Sequence, residues 1–399
     1  MLAESDSDGP SAPAPGTTGL LGVEFSLMTL KTSVLALLLD NVHVLLIANP
    51  ESTTQTQKLF RRVVPALMAL DGVSLEARFT HYGGHAEEMV AGLTVDDFDV
   101  IIPAGGDGTV NEVINGLLGS AEGDFRNLED LPAIAVLPTG SANVFARALG
   151  YPTDPYAAAD ALVELIRKNH TRTITLGTWK GDDQGTRWFA VNAGFGIDAD
   201  VIARVERARS FGFAASPLLY LQVSLRAWVK TQIKPPKITV EAVDSKGHKL
   251  QKEEVPMLLA SNTNPWTFLG PLPVVTNPQN SFDTGLGLFG LTSVRGFGGV
   301  AAMMHLIGVG HGRKLEKLIA KRTIAFDDAE KVTLTCDSDQ RFQVDGEYEG
   351  KPTKVVLESI TDAVRVYAPK THPTPPIMNW DVHLFKHVRD FLRVRTFGI

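Results

Sequence analysis

The chain has 399 residues, 44% of them hydrophobic and 21% charged, a composition that supports folded cores and a two-domain length. Its net charge of −7 excludes bulk binding to nucleic acid and gives no global attraction to an anionic lipid surface. The single cysteine, Cys336, excludes an internal disulfide and a cysteine metal cluster; it reads as a core residue of a protein in a reducing cytoplasm.

Residues 1–40 read as a disordered or loosely attached extension. Residues 1–19 are rich in Ser, Pro, Gly, Asp and Ala. Residues 20–40 are apolar but broken by Glu24 and Lys31, and the uncharged run 32–39 is too short to span a bilayer. Glu4, Asp6 and Asp8 stand where a signal peptide would carry positive charge.

Residues 41–170 alternate strand and helix patterns, which implies a doubly wound, mostly parallel sheet with helices on both faces. The first strand, 42–48, runs into Asn49-Pro50. A helix follows with Leu59, Val63 and Leu67 on one stripe, and Pro65 is expected to kink or interrupt it. A second strand, 74–80, ends at Thr80. His85, just beyond it, is a capping or surface residue with no chemistry assigned.

The third strand, centred on Val100-Ile101-Ile102, leads into Gly105-Gly106-Asp107-Gly108-Thr109. A helix follows with Val110, Val113, Ile114, Leu117 and Leu118 at helical spacing. Strand, glycine loop and helix make a phosphate-binding corner: glycines let backbone approach, and N–H groups and the helix dipole face the anion. A carboxylate at Asp107 repels phosphate, so its presence points to Mg²⁺ or a metal-bound water beside the phosphates. The fourth strand, 133–137, is followed by 138–150, in which Ser141 is the expected N-cap and Gly150 the stop. Asn143 and Arg147, four apart, would share a face beside the first corner. Ligands of such sheets sit at the carboxyl ends of the strands, where Asn49, Thr80 and both glycine loops fall.

Residues 171–368 have a strand texture, with predicted strands at 171–179, 188–193, 237–243, 255–260, 286–291, 332–335, 342–344, 355–357 and 363–367. Helices are expected at 197–209, 217–230 and 300–307, and Asp198 reads as a helix cap. Asp345-Gly346-Glu347 forms a turn whose two carboxylates can face one cleft. Residues 369–377 are proline-rich. The tail 382–395 carries Leu384, Val388, Phe391 and Leu392 on one face, a helix expected to dock on the first domain or to touch a membrane.

These motifs resemble the diacylglycerol kinase catalytic family, soluble bacterial lipid kinases related to sphingosine kinases and, more distantly in fold, to NAD kinases. The pattern GGDGTxNEVxNGL is matched throughout 105–117, and 139–147 resembles GTxNDFAR. The resemblance implies an NAD-kinase-like parallel sheet followed by a β-sandwich domain. It implies a kinase that moves the γ-phosphate of ATP, with Mg²⁺, onto a lipid hydroxyl at a membrane surface, most often diacylglycerol. By resemblance the nucleotide meets Asn49, Thr80, Gly105, Gly106, Asp107, Gly108, Thr109, Glu112, Gly140, Ser141, Asn143 and Arg147. Glu347 is the general base, Asp345 and Asp107 share a metal–water network, and Asp283 marks a further Mg²⁺ site. Departures from the pattern are Val144 and Thr175, each in place of an acid, and Thr284 in place of the second aspartate at 283–285. An NAD kinase, a sphingoid-base kinase and a non-catalytic nucleotide- or lipid-binding remnant stand as alternatives, and a homodimer is left open.

Overall fold

The computed structural model describes residues 42–52, 57–122, 126–182, 185–196, 235–269, 272–293, 322–337 and 340–369. The extension 1–40, the helices expected at 197–209, 217–230 and 300–307, Asp198, and the tail 382–395 lie outside the described residues.

The first half opens with β1 (Val42–Ala48), α1 (Gln57–Met68), β2 (Val73–Phe79), α2 (His85–Val90), β3 (Val100–Gly105) and α3 (Asp107–Leu118). It closes with β4 (Ala133–Ile134), β5 (Leu137–Pro138), α4 (Val144–Ala148) and α5 (Pro155–Arg167). Strands β2, β1 and β3 pair in parallel in that order, and β4 and β5 continue the sheet beyond β3. The run 133–137 is thus two short strands rather than one. Apolar residues of β1 and β3 are buried on both faces, as a sheet covered by helices on each side requires.

Helix α1 buries Leu59, Val63 and Leu67 and runs through Pro65 without a break. Pro65 is exposed, and so is Arg61, whose carbonyl the proline leaves without a helical partner. Water can satisfy that carbonyl, so the expected interruption does not occur.

The second half comprises β6 (Thr171–Lys180), β7 (Arg187–Phe189), β8 (Asn192–Gly196), β9 (Ile238–Asp244), β10 (Lys249–Val255), β11 (Met257–Ser261), β12 (Thr267–Leu269) and β13 (Leu272–Val274). It continues with β14 (Leu286–Leu291), β15 (Thr323–Cys336), β16 (Phe342–Val344), β17 (Glu347–Tyr348) and β18 (Lys354–Tyr367). All but two short strands join one 16-stranded hydrogen-bonded sheet. The two long strands let the sheet branch into layers. The first part of β15 pairs with β14 and its later part with β9 and β18, while β18 pairs along its length with β6 and reaches β4 at Val366. Between the layers lies a second core, in which the Phe342 ring contacts both Trp179 and Phe195. Cys336 sits in it, and burial pushes its thiol up to about 12, which keeps it a neutral packing residue. The ends of β6 and β18 instead pack into the first core.

The run 188–193 is not one strand. It breaks between β7 and β8 because the N–H groups of Ala190 and Val191 turn toward Asp345 instead of a ladder partner. The pair 355–357 and 363–367 is a single strand with an irregularity between Ile360 and Val364.

Helices α2 and α3 touch through Gly116, where an added Cβ would lie 2.2 Å from the Glu87 carbonyl oxygen. Alanine would gain about 1 kcal/mol of helix propensity, but the backbone clash outweighs it. Gly116→Ala is expected to destabilise the protein by a net ~1–3 kcal/mol, read as a lower midpoint in thermal and urea unfolding.

Candidate active site

The two glycine corners meet backbone to backbone. A Cβ on Gly140 would fall 2.4 Å from Gly106 Cα, and a Cβ on Gly105 would strike Thr109 Oγ1 at 2.3 Å. Only glycine permits either approach. Thr139 N–H donates to Gly105 O at 3.0 Å, and the Ser52 and Thr139 hydroxyls share a hydrogen bond of 2.8 Å. Asn49 Nδ2 reaches Thr109 Oγ1 at the long distance of 3.5 Å, and Thr80, almost fully buried, donates its N–H to Ala48 O.

Asp107, first residue of α3, welds the corners together. Its carboxylate accepts from Val144 N–H at 3.0 Å and Phe145 N–H at 2.9 Å, the first two amides of α4. It therefore supplies the cap expected of Ser141. The local cap is lost because Asn143 sits at a left-handed φ of 49° with its amide folded back on Gly140, accepting from its N–H and donating to its carbonyl. Burial raises the Asp107 pKa against these N–H donors and the nearby Arg147 charge.

Asn143 and Arg147 do not present one shared face. The Arg147 guanidinium lies over the Phe268 ring, 3.2 Å from its centroid, on the wall of a pocket of about 320 Å³ floored by Tyr151, Asn280 and Phe282. Burial lowers its pKa and Asp107 opposes that shift. Ser141 is exposed at the corner. Glu112 accepts from Gly84 N–H at 2.9 Å and Ala86 N–H at 3.1 Å, so it anchors the loop after β2.

Asp345 lies at the turn between β16 and β17 with a φ of 49°, followed by Gly346 at 88°, the left-handed pair a tight hairpin needs. Its Oδ1 accepts from Val191 and Asn192 N–H, and its Oδ2 from Ala190 N–H and Asn111 Nδ2, all at 2.7–2.9 Å. Burial still outweighs these four donors and pushes its pKa up to about 6. Asn111 and Asn115, one turn apart on α3, also donate to the Trp188 carbonyl. This seam of amides escaped the sequence reading of individual site residues. Its signal was two asparagines four apart on one helix, Asn111 and Asn115.

Glu347 emerges one residue past the turn and is exposed. A Cβ built on Gly108 would lie 2.8 Å from Glu347 Oε1, so the carboxylate stands over the first turn of α3. The acidic hairpin therefore lies against the first glycine corner.

Asp107 and Asp345 were expected to share one metal–water network and Asp283 to mark a separate Mg²⁺ site; among the described residues no group of three or more His, Cys, Asp or Glu is disposed to bind a metal. Asp345 has all four acceptor positions filled. Asp283 is paired with Arg172 at 2.7 Å. Asp107, held by the Val144 and Phe145 amides and by its own N–H, keeps an acceptor position for a cation or its water.

Residues 43–179 match the model of the diacylglycerol kinase catalytic domain. A diacylglycerol kinase of Staphylococcus saprophyticus is 28% identical over 309 residues, 77% of this chain and 89% of that protein. Sphingosine kinase 1 of Arabidopsis thaliana is 33% identical over 183 residues, 45% of this chain and 36% of that protein. A solved structure of a putative diacylglycerol kinase from Bacillus anthracis superposes with a TM-score of 0.60 at 22% identity, covering 83% of this chain and 98% of the other. The architecture expected from the motifs is thus the one these structures share.

Replacing Asp345 by Asn would turn an NH₂ group toward two N–H donors whichever way the amide faced. Asp345→Asn is expected to cost on the order of 3 kcal/mol, measured by chemical denaturation, with little change in far-ultraviolet circular dichroism.

Proposed function

We propose that the protein, a lipid kinase of the diacylglycerol kinase catalytic family, transfers the γ-phosphate of Mg-ATP to a lipid hydroxyl, with diacylglycerol as acceptor and phosphatidic acid as product. The observation that carries this reading is the position of Glu347 over Gly108, a base beside a phosphate-binding helix start.

The nucleotide phosphates lie against the backbone N–H groups of Gly106 to Thr109 and of Gly140 to Ser141, in the dipole field of α3, a helix of 12 residues. Mg²⁺, when bound, neutralises phosphate charge, and Asp107 is the side chain with capacity to hold it or its water. The acceptor alcohol enters beside Glu347. Its oxygen attacks the γ-phosphorus, the bond to the β,γ-bridging oxygen breaks, ADP leaves, and the alcohol proton passes to the Glu347 carboxylate. Asp345 does not take part in proton transfer; with four donors around it, it fixes the hairpin that aims Glu347. Most of the rate enhancement then comes from positioning and electrostatic stabilisation.

A sphingoid base is the second acceptor reading, supported by the similarity to the plant sphingosine kinase. Among the described residues no helix is long and apolar enough to cross a membrane. The lipid acceptor of this reading is met at a membrane surface.

In mixed micelles with labelled ATP and a lipid extract, Glu347→Gln is expected to lower kcat at least about 100-fold with the thermal midpoint unchanged. Gly108→Ala, which pushes the Glu347 carboxylate aside, is expected to lower kcat without a comparable rise in KM for ATP. Wild-type turnover in Glu347→Gln would remove the base from the mechanism, and label on NAD in place of lipid would remove the acceptor.

A further inference from the structure

The loop after β2 carries a ring with no part in the mechanism above. Tyr82 is 55% exposed, yet it is held firmly. Its O–H donates to Glu88 Oε2 at 2.6 Å, and its ring stacks on the His85 imidazole with centroids 4.5 Å apart and planes 10° apart. His85 is in turn fixed through Nδ1, which accepts from His81 N–H at 3.1 Å. The loop is tied to the phosphate corner because both anchoring amides, Gly84 and Ala86, donate to Glu112 on α3. One face of a rigid aromatic ring is covered by His85, and the residue remains open to solvent.

The sheet sets how far this ring stands from the phosphates. Strands β3, β1 and β2 are adjacent, and Ala48 is level with both Ala104 and Phe79, so the three carboxyl ends lie at one height. At about 4.8 Å per strand, the end of β2 is roughly 10 Å from the end of β3. A ribose and its first phosphates bridge a gap of that size. Asn49 follows the middle strand between the two ends, and Thr80, nearly buried, directly follows β2; both are small polar residues.

We propose that Tyr82 is the stacking platform for the base of the bound nucleotide, with the phosphates at Gly106 to Thr109 and the sugar passing over Asn49 and Thr80. This rests on the nucleotide reading given above and extends it to the base. With its hydroxyl committed to Glu88, Tyr82 offers the base an apolar ring face, so the contact is stacking rather than hydrogen bonding. Removing such a ring is worth roughly 5- to 150-fold in affinity.

The test is calorimetric titration of the full chain with Mg-ATP and with Mg-tripolyphosphate, which has the phosphates and no base. Tyr82→Ala is expected to weaken Mg-ATP binding about 5- to 150-fold and to leave tripolyphosphate binding within about twofold. Tyr82→Phe, which keeps the ring and loses the bond to Glu88, is expected to bind Mg-ATP much as the parent does. The proposal is overturned if Tyr82→Ala binds Mg-ATP as tightly as the parent, if it loses tripolyphosphate to the same degree, or if Tyr82→Phe is as weak as Tyr82→Ala. A parent protein that binds no Mg-ATP at all would sink the nucleotide reading itself, an outcome distinct from these.

Discussion

The site depends on one buried carboxylate. Asp345 collects three consecutive backbone amides, from Ala190 to Asn192, together with the side-chain amide of Asn111 on α3. These donors come from the break between two strands of the second half and from the helix that begins at the glycine corner of the first. A charge enclosed this way is expensive unless every acceptor position is filled, and here each oxygen takes two donors. The same bonds fix where the hairpin ends, and hence where Glu347 stands.

Asp107 performs the matching task within the first half. Its two oxygens hold the start of α4 against the start of α3, while Gly106 and Gly140 bring the loops into contact that a single methyl group would prevent. The acidic residues of the motifs thus act first on backbone amides. Asp345 and Asp107 are charges whose partners are N–H groups, whereas Glu347 is exposed beside Gly108. Val144 and Thr175, where the motif resemblance led to the expectation of acids, bring no charge to this arrangement. Thr175 is buried and its N–H is satisfied by the Phe282 carbonyl, so no unpaired charge or orphaned amide is left behind.

The second half contributes more than the acidic turn. Asn192 accepts from Gln343 and donates to the Trp266 carbonyl, and Asn262 donates to the Phe189 carbonyl. Two residues after Trp266, Phe268 carries the Arg147 guanidinium on its ring. Side-chain amides thus link the Asp345 enclosure to the segment whose Phe268 ring meets Arg147 of α4.

Periodicity and glycine placement alone determined the first three strands, the stripes of α1 and α3, the two glycine corners and the Asp-Gly turn. These features obey local rules: helical and strand spacing decides burial, and left-handed turns demand glycine, asparagine or aspartate. Local rules failed where a distant group overrode a neighbour. Ser141 was the natural cap of α4 until Asp107, 37 residues away from Val144, took the position. The run 188–193 was a strand by pattern until Asp345, about 150 residues on, claimed its amides. Arg147 does not share a face with Asn143 because a ring from the second half gave its cation a face to lie on. The linear chain specified which chemical groups would be available, whereas the assignment of each carboxylate to an amide, a cation or a proton was made by burial and long-range pairing, which no local window contains.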